Sequence, residues 1–148
     1  MELNTAAAVI RFAQEVEEKS AKFYGNCASN FKEGEETFLA FVGENKKNVI
    51  LVKRAYYGVI SDALEACFSF KGLTVDEYLF DAECDEKAGL PEIIKMSLEI
   101  EDKIQRFYRR AGELSESLLA DVPRALKKVA EKRNERKRTL EALLNRTR

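Results

Sequence analysis

The sequence predicts an all-α fold: a four-helix bundle of two helical hairpins joined by a long crossover. Three observations lead there. Only 7 glycines and 2 prolines occur in 148 residues, too little punctuation for a many-turned β fold. Apolar residues recur at spacings of three and four over four long stretches. The first and third of those stretches also carry the same nine-residue pattern. Hydrophobic residues make up 45% and charged residues 34%, the composition of a folded globular chain rather than a disordered one. The length suits one domain over residues 1–148.

The first helix is expected from about Asn4 to Ala28, with Asn4 or Thr5 as N-cap and Ala6, Ile10, Ala13 and Tyr24 on its apolar stripe. Gly25 and Ser29-Asn30 weaken its end. The second is expected from about Glu33 to Tyr57, with Phe38, Phe41, Val52 and Ala55 inward. The third opens at Pro91, a good first-turn residue, and runs to Ala111 before Gly112. The fourth opens near Ser117 or Asp121 and runs to about Asn145, striped by Leu126, Val129, Leu140 and Leu143. Short turns make antiparallel neighbours of helices one and two, and of three and four. The hairpins therefore span about 4–57 and 91–146. The crossover, about 58–90, contains Thr74-Val75-Asp76-Glu77, a capping-box pattern expected to open a short helix through Phe80. Its Phe68, Phe70, Leu73, Tyr78, Leu79 and Phe80 are too apolar for a free linker, so it is expected to pack on the bundle.

Charge and residue usage exclude several classes of function. Lys plus Arg is 25 and Asp plus Glu is 26, so the chain as a whole is not built for a polyanion. Histidine is absent, which excludes a His-based triad and any His-ligated metal. Cys27, Cys67 and Cys84 stand far apart with no CxxC pair, which excludes a zinc ribbon or a rubredoxin-type iron site. Their odd number, and a start without a basic leader, lead us to expect reduced thiols in the cytoplasm. No apolar run approaches the ~18 residues of a membrane span. From Arg124 to Arg148 there are ten Lys or Arg against three Glu. Lys127, Lys128, Lys132, Lys137 and Arg138 fall on the outer face of helix four. A solvated face that complements the helix dipole is the simpler reading; a polyanion patch is the other. No aromatic residue is interleaved there, so nucleic-acid binding is not expected.

The repeat carries the most information. Val16-Glu17-Glu18-Lys19-Ser20-Ala21-Lys22-Phe23-Tyr24 aligns with Ile100-Glu101-Asp102-Lys103-Ile104-Gln105-Arg106-Phe107-Tyr108, with four identities and three conservative changes. Helix two aligns more weakly with helix four, Phe38, Phe41, Val42 and Val52 matching Leu126, Val129, Ala130 and Leu140. This pattern resembles the rubrerythrin-like branch of the ferritin-like superfamily. There, odd helices carry a Glu seven residues before the Tyr of a Phe-Tyr pair, as with Glu17 and Tyr24 and again with Glu101 and Tyr108. Even helices carry an ExxH motif inside an apolar frame. The resemblance implies a ferritin-like domain, and two iron or manganese ions held by two Glu and two ExxH motifs. It also implies peroxide or oxygen chemistry and frequent pairing into homodimers.

The even-helix ligands are missing. Asn45 and Asn48 stand at the first ExxH pair, Arg133 and Arg136 at the second. Written as heptads, the inner seams are Ile10, Ala13, Glu17, Ser20, Tyr24; Phe38, Phe41, Asn45, Asn48, Val52; Ile94, Ser97, Glu101, Ile104, Tyr108; and Leu126, Val129, Arg133, Arg136, Leu140. Six polar residues thus fall at one level of the core. Two lone buried carboxylates are very costly, and a guanidinium offers each a planar donor fork. The expectation is a neutral layer of two Glu and two Arg, with Asn45 and Asn48 satisfying leftover groups, and no metal cofactor. The first functional expectation is accordingly a binding or structural module that has lost dimetal chemistry. The alternative is a metal-dependent oxidoreductase whose ligands are Glu17, Glu101, Glu44 and Glu131. It requires a register of helix two that turns Glu44 inward with Ala40, Lys47 and Leu51. A polyanion-binding protein using helix four is the third class. Tyr24 and Tyr108 are expected in the core with bonded hydroxyls, and the cysteines as ordinary thiols.

Overall fold

A computed structural model describes residue 3 and residues 5–59, 72–85, 87–116 and 121–147. Expectations placed on Asn4, Cys67, Phe68, Phe70 and Ser117 lie outside these residues. Among the described residues the chain is helical, with four long helices: α1 (Ala6–Asn30), α2 (Glu35–Val59), α3 (Leu90–Leu114) and α4 (Asp121–Thr147). None of these is long and apolar enough to cross a membrane.

Local chemistry sets the ends. Thr5 caps α1, its Oγ1 accepting from the Ala8 N–H at 3.1 Å. The helix runs through Gly25 and stops at Phe31, whose N–H donates to the Cys27 carbonyl. A 3-10 turn, Lys32–Gly34, reverses the chain into α2. A Cβ on Gly34 would sit 2.6 Å from the Phe38 ring, so this turn needs a residue without one. Gly89 precedes α3, its N–H donating to the Glu92 carboxylate at 2.7 Å, with Pro91 in the first turn. The expected stop before Gly112 is not observed, because that glycine serves packing. A Cβ there would lie 2.9 Å from Lys127 Cγ, so Gly112 lets α3 and α4 approach closely. The expected helix after Thr74 is also corrected. Val75–Tyr78 forms only a 3-10 turn, and the Thr74 side chain makes no capping bond.

α1 packs along α2, α3 along α4, and α2 against α4. Cross-contacts give the directions. Asn45 and Asn48 of α2 reach Ser20 and Glu17 of α1, so the first pair is antiparallel. Tyr24 meets Glu101 while Tyr108 meets Glu17, so α1 and α3 are antiparallel too. In the crossover, Leu73, Tyr78 and Phe80 are buried. Tyr78 lies edge-on to Phe107, which in turn meets Phe12. Leu79 departs from the expectation and is half exposed. Its carbonyl accepts from Lys103, and the Phe80 carbonyl accepts from Lys19. Every residue of the four heptad seams is no more than 6% exposed. The level that holds the candidate site therefore lies inside the bundle, between apolar layers.

Candidate functional site: a buried arginine–carboxylate layer

Glu17, Glu101, Asn45, Asn48, Arg133 and Arg136 meet at one level, none more than 1% exposed. Glu17 and Ser20 are one turn apart on α1, Asn45 and Asn48 on α2, and Arg133 and Arg136 on α4, so each pair projects the same way.

Arg133 is the hub. Its Nη1 donates to both oxygens of Glu101, at 3.0 and 2.8 Å, and to Ser20 Oγ at 3.2 Å. Its Nη2 donates to Glu17 Oε2 at 2.6 Å and to Asn45 Oδ1 at 3.1 Å. One guanidinium thus bridges both carboxylates. Burial by itself pulls the Arg133 pKa down, but the charges of Glu101 and then Glu17 outweigh it and hold the group well above its ordinary value. Arg133 is a fixed cation.

Two tyrosines close the layer crosswise. The Tyr24 hydroxyl of α1 donates to Glu101 Oε2 of α3, and the Tyr108 hydroxyl of α3 donates to Glu17 Oε1 of α1, both at 2.8 Å. Both rings are fully buried. Burial, then the neighbouring carboxylate (Glu101 for Tyr24, Glu17 for Tyr108), pushes both phenols well above their ordinary value. They remain protonated donors. The nine-residue repeat therefore has a structural meaning: each copy supplies a carboxylate to the other copy's tyrosine.

Arg136 departs from the expected fork on Glu17 or Glu101. Its Nε donates to Glu44 Oε1 at 2.7 Å, and its Nη2 to Asn45 Oδ1 at 2.6 Å and the Phe41 carbonyl at 3.1 Å. Glu101 Oε2 is 3.8 Å from its Nη1, an ion-pair distance only. The guanidinium also lies over the Phe41 ring, 4.9 Å from its centroid. The layer therefore includes a third carboxylate, Glu44, at its half-exposed rim, and is not the closed set of two Glu and two Arg. Asn45 is the second hub, its single oxygen accepting from both arginines. Asn48 reaches Glu17 only at 3.5 Å. Asn48 Oδ1, Arg133 Nε and Arg136 Nη1 make no hydrogen bond within the described residues. A network with three loose ends specifies how helices align more than it stabilises them.

The alternative ligand set does not converge. Glu131 is exposed on α4 and borders an open surface cleft with Gln105, Arg109 and Asn134. Two residues before an inward Arg133 is about 200° around the helix, which turns Glu131 away. Glu44, one residue from the inward Asn45, sits on the flank, where Arg136 claims it. Among the described residues, no group of three or more His, Cys, Asp or Glu side chains is placed to hold a metal ion. The residues present do not fit a dimetal pair. The space between Glu17 and Glu101 holds a guanidinium, which has no lone pair to give a metal.

Elsewhere, Lys127 on the basic face of α4 pairs with Glu116, and Lys137 pairs with Asp102 at 2.8 Å. The Lys137 bond holds the Asp102 carboxyl below its usual range. That face is partly neutralised within the fold. Two placements were not legible in the sequence. Glu44 as the main acceptor for Arg136 left no periodic signal, because it lies off the seam. Cys84, in the crossover, lies beside Cys27 of α1: burial and a hydrogen bond with Cys84 push the Cys27 thiol up. No spacing rule joins two residues across a crossover. No family model, curated protein or solved structure matches the chain.

Proposed function

We propose that this chain is a rubrerythrin-like protein of ferritin-like topology whose dimetal site has been replaced by the arginine–carboxylate layer, and that it acts as a binding or structural module rather than a peroxide-reducing enzyme. The carrying observation is Arg133. Its guanidinium bridges Glu17 and Glu101 at the level where the resemblance places the metals. The crosswise tyrosine–carboxylate bonds of the two repeats support the same reading. So do the antiparallel course of α1 and α3 and the packing of α2 on α4, as in a one-crossover bundle. A positive charge held in the ligand cage repels a metal cation and satisfies the carboxylates in its place.

The test is anaerobic titration with Fe(II) and Mn(II), run beside a variant with the family ligands restored: Asn45→Glu, Asn48→His, Arg133→Glu and Arg136→His. The expected result is no stoichiometric uptake by the native chain and two ions per chain by the restored variant. Two ions bound by the native chain would overturn the proposal and revive a metal-dependent oxidoreductase.

A further inference from the structure

Cys27 lies on α1, wholly buried, and Cys84 lies half-buried on the irregular segment that runs over the bundle after Tyr78. The two thiols are near enough to interact, Cys84 adding to burial in pushing the Cys27 thiol up. Asn30, one turn beyond Cys27 on the same helix, donates from Nδ2 to Cys84 Sγ at 3.7 Å. Sulfur, sulfur and amide therefore form one small cluster across two segments distant in sequence. Cys84 also borders an open surface cleft of about 460 Å³, with Lys19, Lys22, Asn26 and Asp81 around it. A small molecule can reach Cys84 there, whereas Cys27 is shielded behind it.

We propose that Cys27 and Cys84 form a thiol–disulfide exchange site that takes a small-molecule disulfide such as glutathione disulfide and closes into an intramolecular bridge clamping the crossover to α1. Order of reaction follows from exposure. Cys84 loses its proton to solvent, with the Asn30 N–H beside its sulfur, and its thiolate attacks one sulfur of the disulfide. That S–S bond breaks, the first small thiol leaves and takes up a proton, and a mixed disulfide remains on Cys84. Cys27 gives up its proton and attacks the Cys84 sulfur. The Cys27–Cys84 bond forms and the second small thiol leaves. Two protein thiols plus one disulfide become one protein disulfide plus two small thiols; the pair is oxidised by two electrons and the small molecule is reduced. Burial makes Cys27 a poor first nucleophile and a well-placed resolving one. The segment that bears Cys84 is not helical; Phe80 is buried in the core, and the Leu79 and Phe80 carbonyls accept from Lys103 and Lys19. Closing the bridge therefore disrupts no helix at Cys84.

The test treats the native chain with glutathione disulfide, blocks remaining thiols by alkylation and maps the peptides by mass spectrometry. The expected product is a Cys27–Cys84 bridge without retained glutathione, with Tm raised by roughly 5–15 °C and restored by dithiothreitol. In a Cys27→Ala variant the first step has no resolving thiol, so a stable glutathione adduct accumulates on Cys84. Two alkylated thiols at Cys27 and Cys84 after treatment would overturn the proposal. So would a persistent adduct on Cys84 with Cys27 intact, or bridges only between chains. The native-chain experiment decides the matter even if Cys27→Ala does not fold, and its outcome is independent of any metal titration.

Discussion

Replacing Arg133 with Met tests the buried layer directly. The new side chain is shorter and apolar, without the charge and the five donors. Five hydrogen bonds disappear: two to Glu101, one to Glu17, and those to Ser20 and Asn45. Both carboxylates stay in place at 1% exposure or less. Glu101 retains the Tyr24 hydroxyl and an arginine 3.8 Å away; Glu17 retains the Tyr108 hydroxyl and the long contact to Asn48. Breaking a buried ion pair from one side costs about 3–5 kcal/mol, a large part of the ~5–15 kcal/mol stability of a domain, so Tm falls by roughly 6–20 °C. Urea unfolding followed by circular dichroism at neutral pH measures this loss. Adding Glu17→Gln and Glu101→Gln removes the stranded charges and should recover most of the loss. A deficit under about 1 kcal/mol would refute the idea that Arg133 neutralises two desolvated carboxylates.

Three further outcomes follow from the same geometry. Tyr24→Phe and Tyr108→Phe each remove one hydrogen bond to a buried carboxylate. Each should cost about 1.5–3 kcal/mol in urea unfolding, and the double variant should depart from additivity because both tyrosines serve one network. Both phenols are held above their ordinary value of about 10. The folded chain keeps two protons that the unfolded chain loses above that pH, so stability present below pH ~10 should fall above it by about 1.4 kcal/mol per pH unit for each phenol. Unfolding midpoints at several alkaline pH values check this, and the Tyr→Phe double variant should flatten the slope. Gly34→Ala places a methyl 2.6 Å from the buried Phe38 ring and should cost about 1–3 kcal/mol by overpacking, read as a lowered Tm.

The helices and their inward faces were written in the one-dimensional pattern. Residues at three- and four-residue spacings lie on one side of any α-helix whatever packs against it. The seams from Ile10 to Leu140 could therefore be listed before any contact was known, and Glu17, Asn45, Asn48, Glu101, Arg133 and Arg136 assigned to one level. The Glu-to-Tyr repeat, likewise, announced two equivalent helices. Helix ends were less legible: Gly112 reads as a stop but lies inside a helix, where the Lys127 side chain of the neighbouring helix crowds the place of a Cβ.

Tertiary structure alone decided who bonds to whom within that level. A long guanidinium can satisfy any acceptor within several ångströms, and which one it reaches depends on the relative height and rotation of helices that periodicity leaves free. Arg133 spans both carboxylates, while Arg136 turns to Glu44, Asn45 and the Phe41 carbonyl. The crosswise tyrosine bonds have the same origin, since they require α1 and α3 to run in opposite directions. The approach of Cys84 to the Cys27 turn of α1 is the clearest case: it exists only because the crossover lies over α1, and nothing in the local sequence of either residue encodes the other's position.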